Sequence, residues 1–442
     1  MKKLLDLAME KADQAEVYHL SETQGEITLR NGLLSEPTSS IHSGYSLRMI
    51  RDGRLGTAYT GNLLDRTELV ADALASMESG IEVSYSFPGP FDMPSLVSSD
   101  PSTGRTGFRN LRDSCRKLAG YFGGRVEGQV DVSTGFEASR LSMVNSSGLD
   151  VSQELSYVFT MVSLLFPGTE TGIYNVFVDR KPFDPPKEAL ERQVDVYGAG
   201  LPEVDVPSGK MKVMFTPFSL YAITWRLDAA SSGASFFNRV SPLLEKRGDR
   251  VLSEKLTLYD DQKEGDRINP RAFDDEGVPT RRVDVFEKGV FRTPYVNLDY
   301  AQKLGMEPTA SGYRGGMWGG DTISLPPEPN LLAQRFEPGD APWEDMVRSM
   351  DRGIIVFGVL GAHSGNILNG DFSMGLNPGL YVEKGRILGR VRDGMVAGNV
   401  YDVLTRVVSV QDGPFLPMGA NRNPCILLDG VSVSGRNQPA PD

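Results

Sequence analysis

One route to peptide-bond hydrolysis uses a metal ion held by two histidines a helical turn apart, with a nearby carboxylate as base. This chain has three histidines, His19, His42 and His363, and no two of them are neighbours in sequence. Its two cysteines, Cys115 and Cys425, stand too far apart to form a Cys-x-x-Cys metal site or a disulfide framework. The carboxylate runs Asp260-Asp261 and Asp274-Asp275-Glu276 depart from calcium-loop spacing and read as turn and surface groups. No phosphate-cradling G-x-x-x-x-G-K-S/T run and no G-x-S-x-G nucleophile elbow occurs. The glycine-rich run 312–320 does not match the dinucleotide fingerprint, and no βαβ unit is read around it. The chain therefore carries no metal-ligand set of its own, and its chemistry has to lie in surfaces that bind.

The segment richest in such potential is 361–399, where a polar, Gly- and Asn-rich stretch meets a strand, a Glu-Lys-Gly turn and a return strand. Abundant glycine in a polar loop suits close approach of backbone to another molecule. Two readings of Asn366, Asn369, Gly370, Asp371 and Phe372 stand side by side. Their backbone pairs with an extended peptide by strand addition, or Asn and Asp side chains cap a tight turn. His363 has no acidic neighbour nearer in sequence than Asp371 and reads as structural or solvated. Tyr313 and Arg314 could hold a peptide carboxylate, but beside several glycines they read as packing over a loop.

These residues need a scaffold, and the periodicities describe an α+β chain. Residues Lys2 to Asp13 have an amphipathic helical pattern, and hairpins are expected at Asn31-Gly32 and Asp52-Gly53. Asp65 should cap a helix ending at Gly80, and a second helix is expected from Arg109 to Tyr121. Long strands follow between Val126 and Val178, turning at Asn145-Ser-Ser-Gly148. Prolines at 182, 185, 186, 202 and 207 mark a boundary. It divides an N-terminal helix and antiparallel-sheet domain, 1–205, from a β-rich C-terminal domain, 206–442, whose long helix starts near Ser219.

Composition sets outer limits. The length, 442 residues, fits two domains with cores of their own. A formal net charge of −12 and the lack of long basic runs argue against direct nucleic-acid binding. No stretch is apolar enough for a signal peptide or a membrane span, so no membrane contact is expected and the expected location is the cytoplasm.

Several stretches together resemble the TldD/PmbA family, on the PmbA (TldE) branch, also known by the older name modulator of DNA gyrase. They are 44–53 with its Gly-x-Ala-Tyr-Thr sequel, Asn145-Ser-Ser-Gly148, 293–301, Thr309-Ala-Ser-Gly312, Asn369-Gly-Asp-Phe-Ser373 and Ala397-Gly-Asn399. Their order spans nearly the full length. The resemblance implies a protein that dimerises through its C-terminal half, with a TldD-like subunit or with itself. It implies that zinc belongs to the TldD partner, on an H-E-x-x-x-H helix with a later cysteine, and that the pair cleaves unfolded or extended peptides. The equivalent helix here, Phe218 to Asp228, has no histidine. The resemblance thus implies no cofactor and no catalytic residue in this chain. On that helix Trp225 reads as core or dimer interface rather than substrate platform. The rival expectation is a homodimeric peptide-binding module without proteolytic activity.

Overall fold

The computed structural model describes residues 1–35, 37–315, 321–413, 416 and 418–435. The last five residues of the glycine-rich run 312–320 lie outside the described residues. The fold is α+β, as the periodicities imply. Helix α1 (Lys2–Met9) leads into β1 (Gln14–Arg30), β2 (Leu33–Leu34), β3 (Thr38–Arg51) and β4 (Arg54–Thr60). After α2 (Arg66–Ser76) and α3 (Phe108–Phe122), the chain continues through β5 (Val130–Asn145), β6 (Asp150–Leu165) and β7 (Gly172–Asp179). These strands form a seven-stranded antiparallel sheet in the order β4-β3-β1-β5-β6-β7, with β2 on β1.

Local chemistry explains the joints. Asn31, Gly32, Asp52 and Gly53 all have positive φ, the backbone that two-residue hairpin turns require. Asp65 accepts from the amides of Thr67 and Glu68 at 2.8 and 3.2 Å and starts α2. Helix α3 buries Leu111, Cys115, Leu118 and Phe122, one helical face, against the sheet. The α1 pattern ends at Met9, earlier than its spacing suggests, because β1 already begins at Gln14.

The C-terminal half is built on a ten-stranded mixed sheet. Its centre is Gly209–Phe215, antiparallel to Ile426–Ser434 and parallel to Arg352–Val356. One end is the two-residue strand Val359–Leu360, paired among the described residues with Asp371–Leu376 alone. Alternation along the central strands feeds two cores. Val213, Phe215, Ile354 and Val356 face one, together with Leu220, Ile223 and Leu227 of helix α5 (Pro217–Ser231). Met214 and Ile355 face the other. There they meet Val162 and Phe177 of the first sheet and Leu190 and Val196 of helix α4 (Lys187–Ala199). The second core is thus continuous between the two sheets. Among the described residues no helix is long and apolar enough to cross a membrane.

A buried polar seam also joins the halves. Glu16 and Arg48 are cross-strand partners in the β1–β3 register, and Arg48 donates from Nε and Nη2 to both Glu16 oxygens at 2.9 and 3.0 Å. Its Nη1 reaches Glu276 of the C-terminal half at 3.1 Å. The carboxylates 274–276, expected at the surface, are all buried: Asp274 accepts from the amides of Glu276, Val278 and Gly312, and Asp275 from that of Arg314. A tight turn needs acceptors for its inward amides, and here Asp side chains supply them where water is excluded.

Candidate functional site

Helix α5 is apolar on nearly every face, so it is buried except along one stripe. Tyr221, Thr224, Trp225 and Asp228 recur at helical spacing and form the floor of a groove of about 730 Å³. One wall is the edge strand and the turn after it, Val359 to His363. The other is Leu331 to Gln334, and Arg267, Asn421 and Asn423 also line the groove. Leu360 and Tyr221 are exposed at 60% and 46%, so apolar surface lies open beside a strand edge that no other described strand pairs. Such an edge accepts an extended chain as an added strand.

The wall is held in place by Arg226, whose side chain is fully buried. Its guanidinium meets no carboxylate and donates to four backbone carbonyls instead. These are Asp371 at 2.6 Å from Nε, Ala222 at 2.5 Å from Nη1, and Ser364 and Ala362 at 2.8 and 3.1 Å from Nη2. Burial lowers its pKa, and Asp371 opposes that shift. The arginine therefore clamps the 362–371 segment onto α5.

Asp228 sits in the last turn of α5. Burial pushes its carboxyl up to about 7, the amide of Gln334 opposes that shift and Asp260 adds to it. Asp260, itself pushed by burial to about 6, accepts from the amide of Ala333 at 2.6 Å. In an unfolded chain the Asp228 carboxyl ionises near pH 4. Between about pH 4 and pH 7 the folded state therefore holds more protons than the unfolded one, and stability falls as pH rises through that window. The loss is at most about 4 kcal/mol, reduced because the group touches groove water. Asp228→Asn removes this dependence. Its stability advantage over the parent should grow by about 2 kcal/mol from pH 4.5 to pH 7.5 in urea titrations, whereas a flat difference would contradict a desolvated carboxyl.

The residues singled out from sequence separate into four places. Trp225 and His363 line the groove together. Asn366, Asn369, Gly370 and Asp371 make a turn beside it: the amide of Asn369 donates to the Asn366 side chain at 3.1 Å, and that of Asp371 to the Asn366 carbonyl at 3.0 Å. Asn399 ties the turn down through Asn369 O at 2.8 Å and Asp371 Oδ1 at 2.9 Å. Gly370 has φ +89°, and a Cβ there would meet Val400 at 2.8 Å. Phe372 points into the core, edge-on to Phe215. Tyr313 and Arg314 are elsewhere, buried in the seam, where Arg314 donates to Ser46 and stacks over Tyr18.

Residues 208–435 match the model of the PmbA/TldA metallopeptidase C-terminal domain, and residues 15–79 match PmbA/TldA metallopeptidase domain 1. An uncharacterized protein of Methanocaldococcus jannaschii is 22% identical over 421 residues, covering 93% of this chain and 95% of that one. The metalloprotease PmbA homolog of Haemophilus influenzae is 31% identical over 208 residues, 47% of this chain and 42% of that protein. Among solved structures, TldE from Thermococcus kodakarensis superposes with a TM-score of 0.86 at 24% identity, covering 98% of this chain and 100% of that one, a likeness of fold.

The groove does not fit a hydrolytic metal ion. Among the described residues no three His, Cys, Asp or Glu side chains gather as ligands. The domains matched over 208–435 and 15–79 and the shared fold place the assignment beyond the groove alone: the chain belongs to the PmbA/TldD metallopeptidase family.

Proposed function

We propose that this chain is the TldE/PmbA-type, non-catalytic subunit of a two-chain metallopeptidase acting on unfolded or extended peptides. Its partner is a TldD-like chain that brings the zinc. The observation that carries this reading is the groove: an open sheet edge at Val359–Leu360 alongside the Tyr221–Trp225 stripe, with no ligand set for a metal among the described residues. Backbone pairing at the edge would hold any extended sequence, while Trp225 and His363 contact its side chains. A chain built this way positions substrate and leaves bond cleavage to the other subunit.

Mixing the purified chain with the TldD-like chain of the same genome should give one co-eluting species in size-exclusion chromatography. Within that complex Trp225→Ala should weaken peptide capture by about thirtyfold, roughly 2 kcal/mol, seen mainly in KM. If the two chains elute apart, or if the variant cleaves with unchanged KM, the reading fails.

A further inference from the structure

The floor stripe of the groove is chemically graded. Tyr221 and Trp225 are aromatic, and one turn further along α5 the stripe ends at Asp228. The carboxylate Oδ1 accepts from the Gln334 side-chain amide, and among the described residues no other side chain donates to this carboxylate. Among the described residues no cation is bonded to it: Arg267, which also lines the groove, donates to Leu332 O at 3.4 Å. The last turn of a helix carries partial negative charge, which adds to that of Asp228, whereas the nearby Asp260 is offset by Arg267. Burial disfavours the ionised form of this carboxyl, and a cationic donor placed against it would restore that form, in which it is an acceptor only. Aromatic faces beside it suit both a cation and the apolar side chain next to that cation.

We infer that the Asp228 end of the groove is a site for the primary ammonium group of a peptide, held by the Asp228 carboxylate. The inference rests on the groove being a peptide site and names which part of the peptide enters it. The chain would run from Asp228 back over Trp225 and Tyr221, with its backbone along Val359–Leu360. Two sources supply such a group, the free amino terminus and a lysine side chain. A metal ion does not suit the place, since one carboxylate and an amide offer too few ligands.

The test uses the full chain alone and three peptides of one apolar extended sequence, each labelled at its C-terminus for fluorescence anisotropy. One has a free amino terminus, one is N-acetylated, and one is N-acetylated with a lysine at its second position. The free peptide should bind about tenfold tighter than the acetylated one, and Asp228→Asn should shrink that gap to about twofold or less. Tight binding of the acetylated lysine peptide, also lost in Asp228→Asn, would support the same site with a side-chain ammonium as its ligand. Equal binding of the free and both acetylated peptides would overturn the ammonium site and leave the groove reading standing. Binding of none of them would overturn both. Because acetylation alters only the peptide, the result holds even if Asp228→Asn folds poorly.

Discussion

Arg226→Ala should destabilise the chain by about 3–5 kcal/mol, the order expected when a large buried side chain is truncated and several buried acceptors lose their donor. The side chain is fully buried and satisfies the carbonyls of Ala222, Ala362, Ser364 and Asp371. Alanine leaves a cavity and strands acceptors away from water, two costs that add. Arg226→Met separates them by filling much of the volume without donors, and should recover only the packing part. Arg226→Lys should recover little more, because one ammonium cannot span four carbonyls set around a planar fork. Urea unfolding gives the global number, and amide hydrogen exchange gives the local one. Protection across 362–371 should fall further than protection in α5, since that segment loses its anchor. A change below about 1 kcal/mol with exchange unaltered would contradict the clamp.

Arg48→Ala should cost a similar amount, about 3–5 kcal/mol, for a different reason. It abandons Glu16 and Glu276, both buried, on opposite sides of the seam between the two sheets. Burial pulls the Arg48 guanidinium down, and the two carboxylates more than offset this, so its pKa is raised overall. Glu16 shows the reverse balance, raised by burial against the pull of Arg48. A replacement that removes the charges together should be far milder. Arg48→Met combined with Glu16→Met and Glu276→Gln keeps an acceptor for the Leu298 amide, which now donates to Glu276 at 2.7 Å. The triple variant should recover most of the lost stability in urea titration. If Arg48→Ala unfolds at the parent's urea midpoint, the seam does not hold the halves together.

The scaffold was legible wherever a local rule decides the conformation. Asn31-Gly32 and Asp52-Gly53 are turns because few residues tolerate positive φ, and Asp65 caps because its short carboxylate reaches two amides. Strand β1 was legible only over Glu26–Arg30. Its earlier part, His19 to Gln24, mixes half-buried and exposed positions and shows no alternation, yet it is paired on both sides by β3 and β5. The C-terminal sheet order was not legible at all. Gly209–Phe215 lies between strands more than 130 residues downstream (Arg352–Val356 and Ile426–Ser434), and no local pattern encodes such a register.

The site divides the same way. The missing histidine pair and the special character of 361–373 can be read from residue types. The groove cannot, since its walls come from 331–334, 359–363 and 420–423. Arg226 left one usable signal. A helix reading PFSLYAITWRLDAAS is apolar all round and hence buried, so its lone arginine has to find acceptors inside the protein. Asp228, two residues on, carries the same signal for the groove floor. Glu276 left none, because its partner Arg48 is 228 residues away.

The central claim is that this chain supplies a place for peptide and a TldD-like partner supplies the metal that cuts it. It is tested most directly by following cleavage of one unfolded peptide with the chain alone, the partner alone and the two mixed, each after its zinc content has been measured. The expected result is turnover in the mixture, with zinc confined to the partner and none cleaved by this chain by itself. Stoichiometric zinc in the lone chain together with cleavage would contradict it.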